Sequence, residues 1–341
     1  MSIIDPCRIL LPNHQSTVDA GHSLAHAIYT MPLTILLQGE LGSGKTTLFR
    51  GFAQGLGVGA YVISPTFALE QRYTTERWGE LLHVDLYRLS PEQSREIVAT
   101  SDDHPGIRCI EWAERLGVDL ATSFPHAISI ELEEEGNGRS MDVTYRDVPL
   151  PSAAEIASWR NEVMLPAHII SHCHAVSTLC RTYADSLCDR CIPVRAEALV
   201  AAAELHDLLR IVGMQPDTGP AGITTTPEEE SCWEKWRSLY AGLTHEEAAA
   251  AFLRERGYAA LAEIVAVHGL TLPSPLRATT EQKLLFYADK RVKQDMVVSL
   301  EERFKDFQKR YGKGKKSAQS QEWYEEAKAL EKELFPNGVP A

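Results

Sequence analysis

An apolar run, LTILL at 33–37, leads directly into QGELGSGKTTLFR at 38–50. This junction restricts the fold more than any other stretch, because it fits GxxxxGK[ST] with Gly39, Gly44, Lys45 and Thr46 in place behind a buried strand. Glycines let a backbone turn tightly and aim successive N–H groups at an anion, and the helix starting near Lys45 adds its positive end. The residues Gly39, Glu40, Leu41, Gly42, Ser43, Gly44, Lys45, Thr46 and Thr47 are therefore expected to cradle a nucleotide. Lys45 is expected to reach the terminal phosphates, and Thr46 to offer its hydroxyl to Mg²⁺.

With 341 residues the chain has room for two domains. Up to about 148, the β-like runs CRILL, LTILL, YVISP, ELLHVDLY, GIRCIEW and HAISIEL alternate with helix-forming or turn-forming sequence, which predicts an α/β sheet. From about 153 onward amphipathic helices follow one another. A boundary is expected near EEEGNGR and VPLPS, giving an α/β P-loop NTPase domain over 1–150, an all-α domain over 151–310, and a basic linker with a last helix over 311–341. A net charge of −13 argues against direct nucleic-acid binding, DNA included, since such binding neutralises many phosphates. No run of eighteen apolar residues or export leader is visible, so the expectation is a cytoplasmic chain with no membrane contact. Seven scattered cysteines agree with that. Cys188 and Cys191 form a CxxC without the second pair that a zinc or redox site would need.

Within the first half, Glu111 closes the strand IRCIEW where a Walker-B-like carboxylate belongs. In LLHVDLYRL, residues His83, Asp85 and Tyr87 share a polar face. The order of P-loop, SPTF (64–67), Tyr73, HVDLYRL (83–89) and EW (111–112) resembles the TsaE family, over roughly residues 8–145. That resemblance implies a P-loop ATPase using ATP and Mg²⁺ and working with TsaB and TsaD in making threonylcarbamoyladenosine in tRNA, which it reaches through those partners. It also implies Thr66 in a switch-like loop, Asp85 and Glu111 as acids near the metal and the attacking water, and Trp112 packed beside the site. Ala113 stands where the family often has proline, and PEQSREIVATSDD marks the family's following acidic helix poorly.

The second half carries a different pattern. Helical phase puts His172 on a stripe with Ile169, Val176, Leu179 and Tyr183 and turns His174 away. His206 lines up with Leu199 and Ala202, with Asp207 beside it. His268 follows Leu261, Ile264 and Val265, Asp289 aligns with Leu285, Val292 and Met296, and His245 lies toward Ala249 and Phe252. A carboxylate facing a core is costly unless paired or metal-bound, so five helices each offering an inward polar group suggest a shared ion. Imidazole with carboxylate suits Mn, Fe, Zn or Mg, and two ions sharing a carboxylate would clamp a phosphoryl group.

The spacing over about 165–308 also resembles the HD phosphohydrolase superfamily: a histidine, an HD pair, two more histidines and a last aspartate. The resemblance implies one metal on His172, His206, Asp207 and Asp289, and a second on His245 and His268 with Asp207 bridging. Arg210 stands where many members carry lysine and suits a phosphate oxygen pair. A small phosphorylated substrate follows, such as a nucleotide, and the long polar loop after Arg210 reads as a lid or an insertion. The alternative is a non-catalytic nucleotide-sensing module that regulates the ATPase.

Overall fold

The computed structural model describes residues 4–214, 225–311 and 318–340. They form two compact units, one of residues 1–148 with 185–195, the other of 149–184 with 196–341. The first unit thus includes a segment, Asp185–Arg195, from beyond the point near 150 where the strand pattern ends.

The first unit is built on a seven-stranded sheet. Its strands are β1 (Asp5–Leu11), β2 (Leu33–Gln38), β3 (Glu70–Thr74), β4 (Glu80–Asp85), β5 (Ile107–Glu111), β6 (Ile128–Glu135) and β7 (Gly138–Tyr145), in the order β1-β7-β6-β2-β5-β4-β3. The central four, β6, β2, β5 and β4, are parallel; β7 and β3 run against them at the flanks, and β1, antiparallel to β7, runs in their direction. Helices α1 (His14–Ala25) and α2 (Lys45–Gly55) accompany a core containing Ile35, Leu37, Phe49, Phe52 and Ile130. A second cluster joins Leu36, Val84 and Ile110 to Val98 of α3 (Pro91–Ala99) and Leu116 of a 3₁₀ turn, Ala113–Leu116. A short α4 (Leu120–Ser123) precedes β6.

Several sequence expectations change here. YVISP is not a strand: the carbonyl of Val62 accepts from Arg50 Nε at 3.1 Å, and Ser64 and Thr66 are turned onto Asp85, so this stretch is a loop. Of the two stretches at the expected boundary, EEEGNGR is the turn of the β6–β7 hairpin, in which Glu135 pairs with Gly138, and the break between Val148 and Pro149 falls in VPLPS. The helix after YRL is present as α3, started by a capping box between Ser90 and Gln93.

Inside this unit Arg195 and Asp147 form a bidentate ion pair, Nε to Oδ1 at 3.1 Å and Nη2 to Oδ2 at 2.6 Å, with both side chains 1% exposed. The guanidinium also lies 4.4 Å from the centre of the Tyr145 ring. Cys188 Sγ is 3.0 Å from Cys7 Sγ, and Cys191 Sγ donates to the Leu10 carbonyl at 3.1 Å.

The second unit is helical. Its elements are α5 (Ala153–Glu162), α6 (Ala167–Cys188, whose last turn counts with the first unit), α7 (Ala196–Leu205), a 3₁₀ turn Arg210–Gly213, α8 (Pro227–Leu239), α9 (His245–Glu255), α10 (Ala259–Val265), α11 (Thr280–Asp289), α12 (Leu300–Tyr311) and α13 (Ala318–Leu334). A two-stranded hairpin, β8 (Val292–Lys293) with β9 (Met296–Val297), interrupts the expected all-helical pattern. Side-chain capping boxes open α5, α8, α9 and α11, so polar sequence between helices specifies where each begins. Most of the cluster KRYGKGKK, and the central part of the loop after Arg210, lie outside the described residues. No helix among the described residues is long and apolar enough to cross a membrane.

Candidate functional site

The P-loop joins β2 to α2, at the edge where the parallel strands β2, β4 and β5 end. Gly39, Gly42 and Gly44 take positive φ values of 128°, 88° and 106°, which side chains disfavour. At Gly39 space adds a second restriction, since a Cβ there would stand 2.2 Å from the Leu132 carbonyl oxygen. Glu40 and Leu41 are exposed at the tip, Leu41 by 72%, while Ser43 and Lys45 are buried.

Lys45 Nζ donates to the carbonyls of Gly39 at 2.6 Å and Glu40 at 2.8 Å, and sits 3.7 Å from the centre of the Trp112 ring. Burial lowers its pKa, against the opposing pull of Glu111, Glu114 and Asp85. Thr46 Oγ1 donates to Glu111 Oε2 at 2.9 Å, and His83 Nε2 lies 2.9 Å from Glu111 Oε1. His83 is stacked on Phe49 at a ring separation of 3.7 Å. Asp85, opposite Glu111 in register, accepts from Ser64 Oγ at 2.9 Å and Thr66 Oγ1 at 2.6 Å. Thr47 stands one residue further into α2 and is half-buried. Ser64 was legible only as part of SPTF. Arg139, whose Nη2 reaches the Gly42 carbonyl at 3.4 Å, carried no sequence signal because it comes from the far end of the unit.

The chain belongs to the TsaE family. The family model for threonylcarbamoyl adenosine biosynthesis protein TsaE matches residues 11–141. The TsaE of a Nostoc species is 40% identical over 121 residues, covering 34% of this chain and 74% of that protein. A Synechocystis TsaE is 39% identical over 115 residues, covering 31% and 69%. A Haemophilus influenzae TsaE is 34% identical over 112 residues, covering 31% and 70%. The TsaE match therefore rests on the sheet-bearing unit, and the helical unit extends the chain beyond it.

That helical unit brings together all six histidine and aspartate positions singled out by phase, and it does so largely at helix ends. His245 begins α9, Asp289 ends α11, His206 and Asp207 follow α7, and His268 follows α10; only His172 lies within a helix. Beyond their helices, His206 and His268 fold back identically, each Nδ1 lying 2.7 Å from the carbonyl oxygen three residues earlier, of Ala203 and Val265. With Nδ1 as donor, each Nε2 offers a lone pair to the cluster when its ring is neutral; burial disfavours the charged ring at both, but at His206 the neighbouring Cys173, Asp207 and Asp289 outweigh burial and raise the pKa. Both Nε2 atoms are buried and have no hydrogen-bond partner among the described residues.

Asp289 Oδ1 lies 3.0 Å from His172 Nε2 and 3.8 Å from His206 Nε2, while its other oxygen is taken by Lys290 Nζ. Asp207 divides its oxygens: Oδ2 is 3.9 Å from His206 Nε2, whereas Oδ1 is 3.1 Å from His245 Nε2 and 3.7 Å from His268 Nε2. These groups could hold a metal ion. Burial raises the Asp207 carboxyl, but Arg210 and the histidines outweigh it and hold the group well below the ordinary carboxylate range. Burial lowers His268 to about 4, so its ring is neutral, the state a ligand requires. Arg210 Nη1 reaches His245 Nε2 at 2.7 Å and lies 3.7 Å from Asp207 Oδ1, at the rim of the cluster. His174 is 76% exposed at its side chain and bonds Glu204, away from the cluster.

Proposed function

We propose that this chain joins two phosphate chemistries. The sheet-bearing unit is the ATP-hydrolysing component of the machinery that makes threonylcarbamoyladenosine in tRNA, acting with TsaB and TsaD. The helical unit is an HD-type metal-dependent phosphohydrolase for a nucleotide or related phosphate ester.

Membership of the TsaE family and the loop geometry support the first part. The Gly39–Gly44 backbone and Lys45 are suited to bind phosphates, and the Thr46–Glu111 pair would hold Mg²⁺ beside them. His83 orients Glu111, while Asp85 ties down Ser64 and Thr66, so the switch-like loop is anchored to the same edge.

One observation carries the second part: the two oxygens of Asp207 face two different histidine sets. The orphaned Nε2 atoms of His206 and His268 and the imidazole–carboxylate donor set fit divalent Mn, Fe or Zn. His172, His206, Asp207 and Asp289 would hold one ion, and His245, His268 and Asp207 the other. Such ions supply Lewis acidity toward a phosphoryl group and a clamp on it from both sides. Arg210 would then bind phosphate oxygens at the rim and hold the substrate in place.

Metal analysis of the purified full-length protein tests this. Wild type and His174→Ala should each carry close to two ions per chain, and Asp207→Ala should lose both. A wild-type chain that neither carries metal nor takes it up, or equal loss in His174→Ala and Asp207→Ala, overturns the phosphohydrolase reading. For the ATPase half, failure of TsaB and TsaD to bind the chain or change its rate overturns the tRNA role.

A further inference from the structure

The helix α9 opens with three polar residues, His245, Glu246 and Glu247, after Thr244. The two glutamates do different things. Glu247 completes the capping box: its Oε2 accepts from the Thr244 amide at 2.8 Å while its own amide donates to Thr244 Oγ1 at 3.3 Å. It is exposed, as a capping acid usually is. Glu246 turns inward instead and is 5% exposed, on the same stripe as Ala249, Ala250 and Leu253.

A first-turn acid can serve the helix dipole from the surface, so that role does not account for its burial. Burying a carboxylate oxygen without a hydrogen bond is costly, because the lost hydration is not replaced. Yet Glu246 Oε2 has no hydrogen-bond partner among the described residues. It lies 3.0 Å from His245 Nδ1, and His245 Nε2 lies 3.1 Å from Asp207 Oδ1. His245, Glu246 and His268 form one of the groups able to converge on an ion.

Gly269, directly after His268, shows that the inward turn is accommodated by the fold. A Cβ there would stand 1.5 Å from Glu246 Oε1, 2.3 Å from its Cδ and 2.7 Å from its Cγ. Gly269 does not occupy the left-handed region, and what an added Cβ would displace is the end of the Glu246 side chain. Two separate segments are therefore shaped to bring this carboxylate against His245.

We propose that Glu246 is the positioning carboxylate of the second metal position: with Oε2 3.0 Å from His245 Nδ1, it is placed to take the Nδ1 proton when the ring turns its Nε2 to the ion beside Asp207. Gly269 provides the room. This rests on the two-ion reading above and assigns a residue that the spacing of histidines and aspartates does not include. The first position has its analogue in backbone carbonyls, which hold His206 by its Nδ1, whereas His245 at a helix start has no preceding turn to supply one. The carboxylate fills that role. Outer partners of this kind typically govern metal affinity by about 10–100-fold.

The test uses Mn²⁺ alone, titrated into metal-stripped full-length protein by calorimetry. Wild type should show two binding events. Glu246→Ala and Gly269→Ala should each weaken one of them by about 10–100-fold and leave the other unchanged. Glu246→Gln keeps an acceptor oxygen in a side chain of the same shape, so it should fold as wild type does and restore part of the loss. A merely structural role would not produce that order or confine the loss to one event. Two unchanged affinities in Glu246→Ala and Gly269→Ala, or equal weakening of both events, overturn the assignment while leaving the metal site standing. No Mn²⁺ binding by wild type overturns the metal reading and this inference with it.

Discussion

On the proposed reading the two sites hold phosphate by opposite means. In the sheet-bearing unit a single run of nine residues, 39–47, supplies loop and helix start together, and its backbone is shaped for the anion before any side chain is considered. In the helical unit the residues come from five separate segments, adjacent in sequence only at His206–Asp207 and His245–Glu246, and side chains alone define the cluster. A contiguous backbone site depends on a few glycines, whereas a dispersed one depends on every helix being in register.

The largest expected effect breaks one site without touching the other. Lys45→Ala removes charge-assisted bonds to phosphate worth about 1.5–3 kcal/mol each, so with two such bonds ATP affinity should fall by about 10²–10⁴-fold. Calorimetry with ATP measures it, and metal content of the helical unit should stay at the wild-type level. Coupled loss of metal would break the contrast between the two sites.

Next in size is the buried pair within the sheet-bearing unit. Asp147→Ala leaves the Arg195 guanidinium buried without its carboxylate and should destabilise that unit by about 3–5 kcal/mol. Denaturant unfolding followed through loss of ATP binding reports it. A fragment ending at 150 should behave similarly, because it lacks Arg195. Equal stability of fragment and full chain would show that Asp185–Arg195 is not needed there.

The smallest effect belongs to the helical unit. Burial raises the Glu204 carboxyl, but hydrogen bonds from Ser177 and Arg160, with His174 adding to them, outweigh it and lower its pKa. A depressed carboxyl contributes stability that is present above its unfolded value of about 4.3 and is lost as pH falls through the lower folded value. Glu204→Gln should cost about 1–3 kcal/mol at neutral pH and flatten the acid side of the stability curve. An unchanged acid limb in thermal unfolding would place the pH dependence elsewhere.

The contrast also explains what could be read in advance. The P-loop was legible because its spacing is local and its glycines have only one good use. The histidine stripe was legible in phase, yet the turn that follows α7 and α10 was not, since nothing in HDLLR or HGL announces a ring bonding backward to its own helix. Strand β7 escaped because GNG and the charged start of the hairpin resemble a linker, although Met141, Val143 and Tyr145 do alternate inward. Strand β3 buries only Tyr73, too little to raise a period-two signal. Glu246 had a signal, an acid on the stripe of Ala249, Ala250 and Leu253, but its neighbour Glu247 offered capping as a sufficient reason for acids at that helix start.

The ion pair between Asp147 and Arg195 also sets a timetable. The sheet's last strand is finished at Tyr145, but the charge that neutralises Asp147 arrives only when Arg195 has been made, 48 residues after Asp147. At about 5–20 residues per second this is a wait of about 2–10 s during synthesis. Through that interval the nascent sheet holds a carboxylate that cannot be buried without loss, so the unit closes after much of α6 and the turn behind it have left the ribosome.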